Sequence, residues 1–176
     1  MLTIHDRTFP PEDRSEAGHW EGDLIVGNHH GSAIGTLVER QTRMVRLLHL
    51  PRSDADSLHT ALVARMQDLP PGLLRSITWD QGTEMARHVT TTAVLGIPIY
   101  FCDTRSPWQR GTNENTNGLL RDYFPKGVSL AGHPPAHLLA VENELNTRPR
   151  IVLGDRCPAD LFTDLLASQN QSVLRR

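Results

Sequence analysis

The stretch His19–Leu50, HWEGDLIVGNHHGSAIGTLVERQTRMVRLLHL, decides the fold. HWEGDLIVG (19–27), SAIGTLVER (32–40) and RMVRLLHL (43–50) are three apolar, β-branched runs. Turn residues separate them, first Asn28-His29-His30-Gly31 and then a short polar link. Runs of that length between tight turns predict an antiparallel three-strand meander. One residue is out of place in it: Asp23 stands inside a strand of Leu, Ile and Val. Glu21 sits two positions earlier on the same strand face. Spacing alone does not choose between the two acids.

Beyond the meander, strand and helix patterns alternate. In SDADSLHTALVARMQDL (53–69), Ser53 suits an N-cap, and Ala55, Leu58, Leu62, Met66 and Leu69 line one helical face. Pro70-Pro71-Gly72 ends that helix. RSITWD (75–80) predicts a short buried strand, and Glu84–Leu95 a helix that Gly96 terminates. IPIYFCD (97–103) predicts a fifth strand, and further helices are expected near Ser106–Gly127, Pro134–Asn146 and Pro158–Leu166. The order predicts an α/β fold of ribonuclease H-like type. Its mixed five-stranded sheet would join the meander to two parallel strands, with helices on both faces. Residues 1–18 read as a linker-like segment, 19–166 as one core domain, and 167–176 as a C-terminal tail whose last residues, SVLRR (172–176), are frayed.

Composition bounds the function. The chain has 176 residues, 38% apolar and 22% charged, enough for one soluble domain with a real core. No apolar run is long enough to span a bilayer. The polar, acidic start lacks a signal-peptide core, so a cytoplasmic protein without a membrane partner is expected. Cys102 and Cys157 lack CxxC spacing and read as reduced thiols. His29-His30 does not have the spacing of a zinc site and reads as part of a turn. The net charge of −2 is uninformative, but Lys126 is the only lysine among 18 basic residues. Arginine in that proportion suits bidentate phosphate contact, and a GC-rich coding sequence accounts for it equally well.

Three carboxylates carry the chemistry. Asp23 lies in the first strand, Asp80 ends the fourth, and Glu114 lies in the first turn of the helix opened by SPWQRGTNENTNGLLRDYFPKG (106–127). Each has a plainer reading: Asp80 suits a turn before Gln81-Gly82, and Glu114 suits the positive end of a helix. On a helical wheel Thr116, Leu119, Leu120 and Tyr123 share one side, and Glu114, Asn117, Gly118 and Arg121 the other. If neighbouring strands bring Asp23 and Asp80 together and the helix adds Glu114, the converging charges need cations between them. Hard oxygen donors suit two magnesium ions, with manganese as a substitute.

GHWEGDLIVG, ITWDQGTEM, SPWQRGTNENTNGLLRDYFPKG and ELNTRPRIVLGDRCPADLF resemble the catalytic region of insertion-sequence family thirty transposases, in the DDE transposase/integrase group. The 33 residues between Asp80 and Glu114 agree with that family's pattern. The resemblance implies that Asp23, rather than Glu21, joins Asp80 and Glu114 as the catalytic, metal-binding triad. It implies DNA cleavage and strand transfer on transposon ends and target DNA, by a homo-oligomer in a synaptic complex. It also implies DNA contact or support by Arg105, Trp108, Gln109, Arg110, Asn113, Asn117, Arg121, Lys126 and Arg148. Gln81 and Met85 depart from the Asn and Phe that members commonly carry. Members also carry helix-turn-helix regions ahead of this core, so the chain reads as an isolated catalytic domain. Two alternatives are a remnant that binds DNA or pairs with full-length transposase, and a ribonuclease H. The long third motif argues against the latter.

Overall fold

The computed structural model describes residues 1–10, 14–28, 31–130 and 132–175, so the His29-His30 turn lies outside the described residues. The meander forms as its turns dictate, from β2 (His19–Val26), β3 (Ala33–Glu39) and β4 (Val45–Leu50), paired antiparallel in sequence. On its other side β2 pairs parallel with β5 (Ser76–Trp79), and β5 with β6 (Ile99–Phe101). Among the described residues the sheet has six strands, one more than the five expected, in the order β1 (Leu2–Thr3), β6, β5, β2, β3, β4. The extra strand, β1, pairs parallel with β6 and comes from the segment read as a linker. Two residues are too few for alternation to show. Phe9, from the same segment, stacks on His19 with ring centroids 3.8 Å apart.

Strand parity sorts the β2 side chains between two cores. Trp20 joins Leu37, Leu48, Ile77 and Trp79 on the face covered by α1 (Ala55–Met66), with Phe162 of α5 (Pro158–Leu174). Ile25 joins Ile34, Val38, Val45 and Leu47 on the opposite face, beneath α3 (Gly111–Leu120) and α4 (Pro135–Asn146). Glu21 and Asp23 share the parity of Ile25 and therefore lie under α3. Gly22 faces the other way, and a Cβ there would land in the Trp79 ring, so the glycine lets Trp79 pack flat on β2.

Helix ends differ from expectation where local polar groups decide them. Asp54 rather than Ser53 caps α1, accepting from Ser57 N at 2.8 Å. The expected Glu84–Leu95 helix splits into a tight turn at Thr83–Met85 and α2 (His88–Leu95), which Gly96 ends in the left-handed region at φ 70°. The last helix runs past the expected Leu166: α5 continues to Leu174, into the SVLRR expected to fray, and lays Gln169 against Gly72. That stretch lacks an apolar stripe but contains residues compatible with a helix.

β4 is an edge strand, and α4 covers it with polar side chains as well as apolar ones. Asn146 accepts from Val45 N at 2.8 Å and donates to Val45 O at 2.9 Å. Glu142, one turn earlier, accepts from Leu47 N at 2.8 Å and pairs with Arg65. Leu138, Val141 and Leu145 fill the rest of the contact. Gly22→Ala is expected to cost about 1–3 kcal/mol, the cost of overpacking a filled core. Urea unfolding checks it, and an unchanged midpoint would show that the sheet yields at Trp79.

Candidate metal and nucleic-acid site

The β2–β5 ladder pairs His19 with Ser76, Trp20 with Ile77 and Glu21 with Thr78. The same offset, carried two residues past the last pair, sets Asp23 beside Asp80. Both carboxylates are turned the same way. Asp23 Oδ1 accepts from Leu24 N at 2.8 Å, and Asp80 Oδ1 accepts from Gln81 N at 2.7 Å. Each carboxylate is thus pinned through one oxygen by the backbone N–H of the next residue. The other oxygens, both Oδ2, meet one guanidinium: Arg110 Nη1 lies 3.1 Å from Asp23 and Nη2 lies 3.3 Å from Asp80.

Arg110 ends the tight turn Pro107–Arg110 just before α3 and is 6% exposed. It also donates to Gly22 O at 3.0 Å. Burial disfavours its charge, but Asp23 foremost and Asp80 after it outweigh burial and raise its pKa above the ordinary arginine value. Burial also pushes the nearby Cys102 thiol up to about 11, so it stays protonated at neutral pH.

α3 runs along β2, and successive turns meet successive inward-facing residues. Asn113 N donates to Glu21 Oε2 at 2.9 Å, and the Asn113 side chain donates to Glu21 O and Thr36 Oγ1, each at 3.1 Å. One turn on, Asn117 Nδ2 donates to Asp23 Oδ2 at 3.2 Å. Next, Leu120 joins Ile25 in the core. Glu21 is buried and ion-paired to Arg40 at 3.2 Å. Its carboxylate faces a helix N-terminus and an arginine, so it clamps α3 to the sheet. Asp23 is 31% exposed at its side chain and Asp80 48%, both open to solvent. Environment thus separates Glu21 from Asp23 where spacing did not.

Glu114 is exposed on α3, three residues before Asn117 and on the same side of the helix. Among the described residues no three His, Cys, Asp or Glu side chains meet closely enough to hold a metal ion. Of the three expected carboxylates, two are brought together and the third stands apart on the adjacent helix.

The residues expected at DNA divide by exposure. Trp108 is 71% exposed, and Arg105 and Lys126 are exposed too. Gln109 is half-buried and braces its loop, accepting from Asp103 N at 2.8 Å and donating to Asp103 Oδ2 at 2.9 Å. Arg121 donates to Phe124 O at 3.2 Å, and Arg148 to the Tyr123 hydroxyl at 2.8 Å. Asn113 is fully buried and Arg110 nearly so, which removes both from the solvent-facing surface; their polar groups are spent on Glu21, Thr36, Asp23 and Asp80. Sequence reasoning gave Glu142 and Asn146 no role. Their spacing, polar at i and i+4 beside the apolar Leu138, Val141 and Leu145, was the available signal.

The family model described as integrase core domain matches residues 13–107, taking in Asp23 and Asp80 and ending before Glu114. The transposase for insertion sequence element IS1086 of Cupriavidus metallidurans is 47% identical over 170 residues, covering 96% of this chain and 50% of that protein. Transposase InsI for insertion sequence element IS30C of Escherichia coli is 46% identical over 159 residues, covering 90% of this chain and 41% of that protein. The chain thus spans half or less of the length of these relatives. Among solved structures, the catalytic core domain of BIV integrase superposes with a TM-score of 0.67 at 19% identity, over 88% of this chain and 99% of that one. The fold is therefore ribonuclease H-like, as the strand order implied.

If Glu21 holds α3 rather than serving the site, Glu21→Gln should remove the buried partner of Arg40 at a cost of about 3–5 kcal/mol. Asp23→Asn, at a half-exposed position, should cost less. Urea denaturation of the two variants checks the order, and equal losses would contradict it.

Proposed function

The chain belongs to the integrase core domain family, and on that premise we propose that it is the catalytic domain of an insertion-sequence transposase. Its reaction is divalent-metal-dependent cleavage of a DNA phosphodiester followed by strand transfer. One observation carries the reading: Asp23 Oδ2 and Asp80 Oδ2, on adjacent parallel strands, share one cationic group. The donors are hard oxygens, partly solvated and already oriented towards a positive charge, which fits magnesium or manganese. Asp23 and Asp80 would hold the metal, and Glu114, on the neighbouring helix face, would complete the set. When bound, two such ions supply a polarised water and a stabilised leaving oxygen.

The chain's own residues do the positioning. The Leu24 and Gln81 N–H groups fix the carboxylates in orientation, and Asn117 holds the Asp23 oxygen that faces the site. Glu21 keeps α3, and with it Glu114, at a set height above β2. Exposed Trp108 offers a stacking face for a nucleotide base, and Arg105 and Lys126 offer charge to phosphates. Water would first cut at the element's end, and the freed 3′-hydroxyl would then attack target DNA. The partners are the element ends, the target DNA and further copies of the protein in a synaptic complex. The setting is a bacterial cytoplasm, close to the nucleoid.

The test is strand transfer from pre-cut element ends in magnesium or manganese. Asp80→Asn should fall to background while keeping a folded circular dichroism spectrum and a cooperative melt. A folded Asp80→Asn variant with unchanged activity would exclude Asp80 from the site.

A further inference from the structure

Arg110 does something that a DNA contact or a helix cap would not require. A buried guanidinium joins two carboxylates from different strands through their inward oxygens and takes the Gly22 carbonyl as a third partner. Two aspartates side by side at the end of a parallel pair repel each other unless a cation lies between them. Arg110 supplies that cation from within the chain, and the planar fork of arginine spans two separate acceptors where a point charge would not. A divalent ion held by Asp23 and Asp80 would need these same Oδ2 atoms.

We propose that Arg110 is an internal counter-cation of the Asp23–Asp80 pair, one that pre-assembles the pair and must be displaced for a divalent metal to bind. The inference rests on the reading of that pair as metal ligands. Arg110 thereby sets the metal affinity: the protein keeps its carboxylates aligned without metal, and a bound ion has to compete with a tethered arginine. Displacement also bears on Glu114. Arg110 is the residue from which α3 starts, and Glu114 stands four positions later, about one turn of helix. Release of the guanidinium therefore acts at the first residue before α3, while Glu21 still holds the helix through Asn113.

The test is calorimetric titration of manganese into the wild-type chain, Arg110→Gln and Arg110→Lys, with melting temperatures recorded in EDTA and in saturating manganese. Arg110→Gln removes the charge. Arg110→Lys keeps the charge but not the fork, and it guards against a glutamine variant that does not fold. Both should bind manganese about tenfold or more tightly than wild type, because the ion no longer competes with a tethered cation; about tenfold is the lower end of the shifts that single changes around a metal site produce. Both should also melt below wild type in EDTA and recover more of the difference on adding metal. If wild type binds manganese and both variants bind it equally or more weakly, the inference is overturned. A gain in Arg110→Gln alone would assign the effect to charge and overturn displacement of a bridging fork. If neither wild type nor the variants bind manganese, the metal reading of Asp23 and Asp80 fails, and the inference with it.

Discussion

Parallel pairing of β2 with β5 at one register is the constraint on which the site depends. Glu21 opposite Thr78 fixes which residues follow side by side, and they are Asp23 and Asp80. A slip of one residue would send either acid to the opposite face of the sheet. The tryptophans of the two strands hold the register: Trp20 and Trp79 are fully buried on the other face, and Gly22 makes room for the second. The apolar side of the sheet therefore fixes the geometry of its charged side.

The opposite face carries a ladder of polar contacts from α3 to β2. Asn113 on Glu21 and Asn117 on Asp23 are separated by one turn of helix above and two residues of strand below, about 6–7 Å in each case. Helix and strand advance together, so one buried ion pair, Glu21 with Arg40, governs the height of a helix whose neighbouring side carries Glu114. α4 performs the matching service at the sheet edge, where Asn146 and Glu142 satisfy β4 backbone groups that would otherwise be open to another chain. These polar side chains act as pieces of backbone, extending the sheet without a strand.

Much of this was legible in the sequence. Turn residues and apolar runs gave the meander, and the strand–helix alternation gave the parallel addition. The misplaced acid in DLIV marked the candidate site. What escaped is local or mutual. β1 is two residues long and exists only through its pairing with β6. The last turns of α5 have no apolar stripe to announce them. Glu21 and Asp23 have the same parity and the same chemistry, and only their surroundings separate them: a buried arginine and a helix start for one, a guanidinium shared with Asp80 and an opening to solvent for the other. Arg110 and Asn113 belong to a polar motif that reads as a DNA-facing surface, yet both turn inward. A pattern of residue types does not say whether a polar side chain faces solvent or a buried acid.

Diffraction from crystals soaked in manganese, recorded at the manganese absorption edge, tests the central claim most directly. The account expects an anomalous peak within coordination distance of the Oδ2 atoms of both Asp23 and Asp80, with Arg110 moved out from between them. No peak at that position, or a peak elsewhere with the arginine still bridging the two carboxylates, would contradict it.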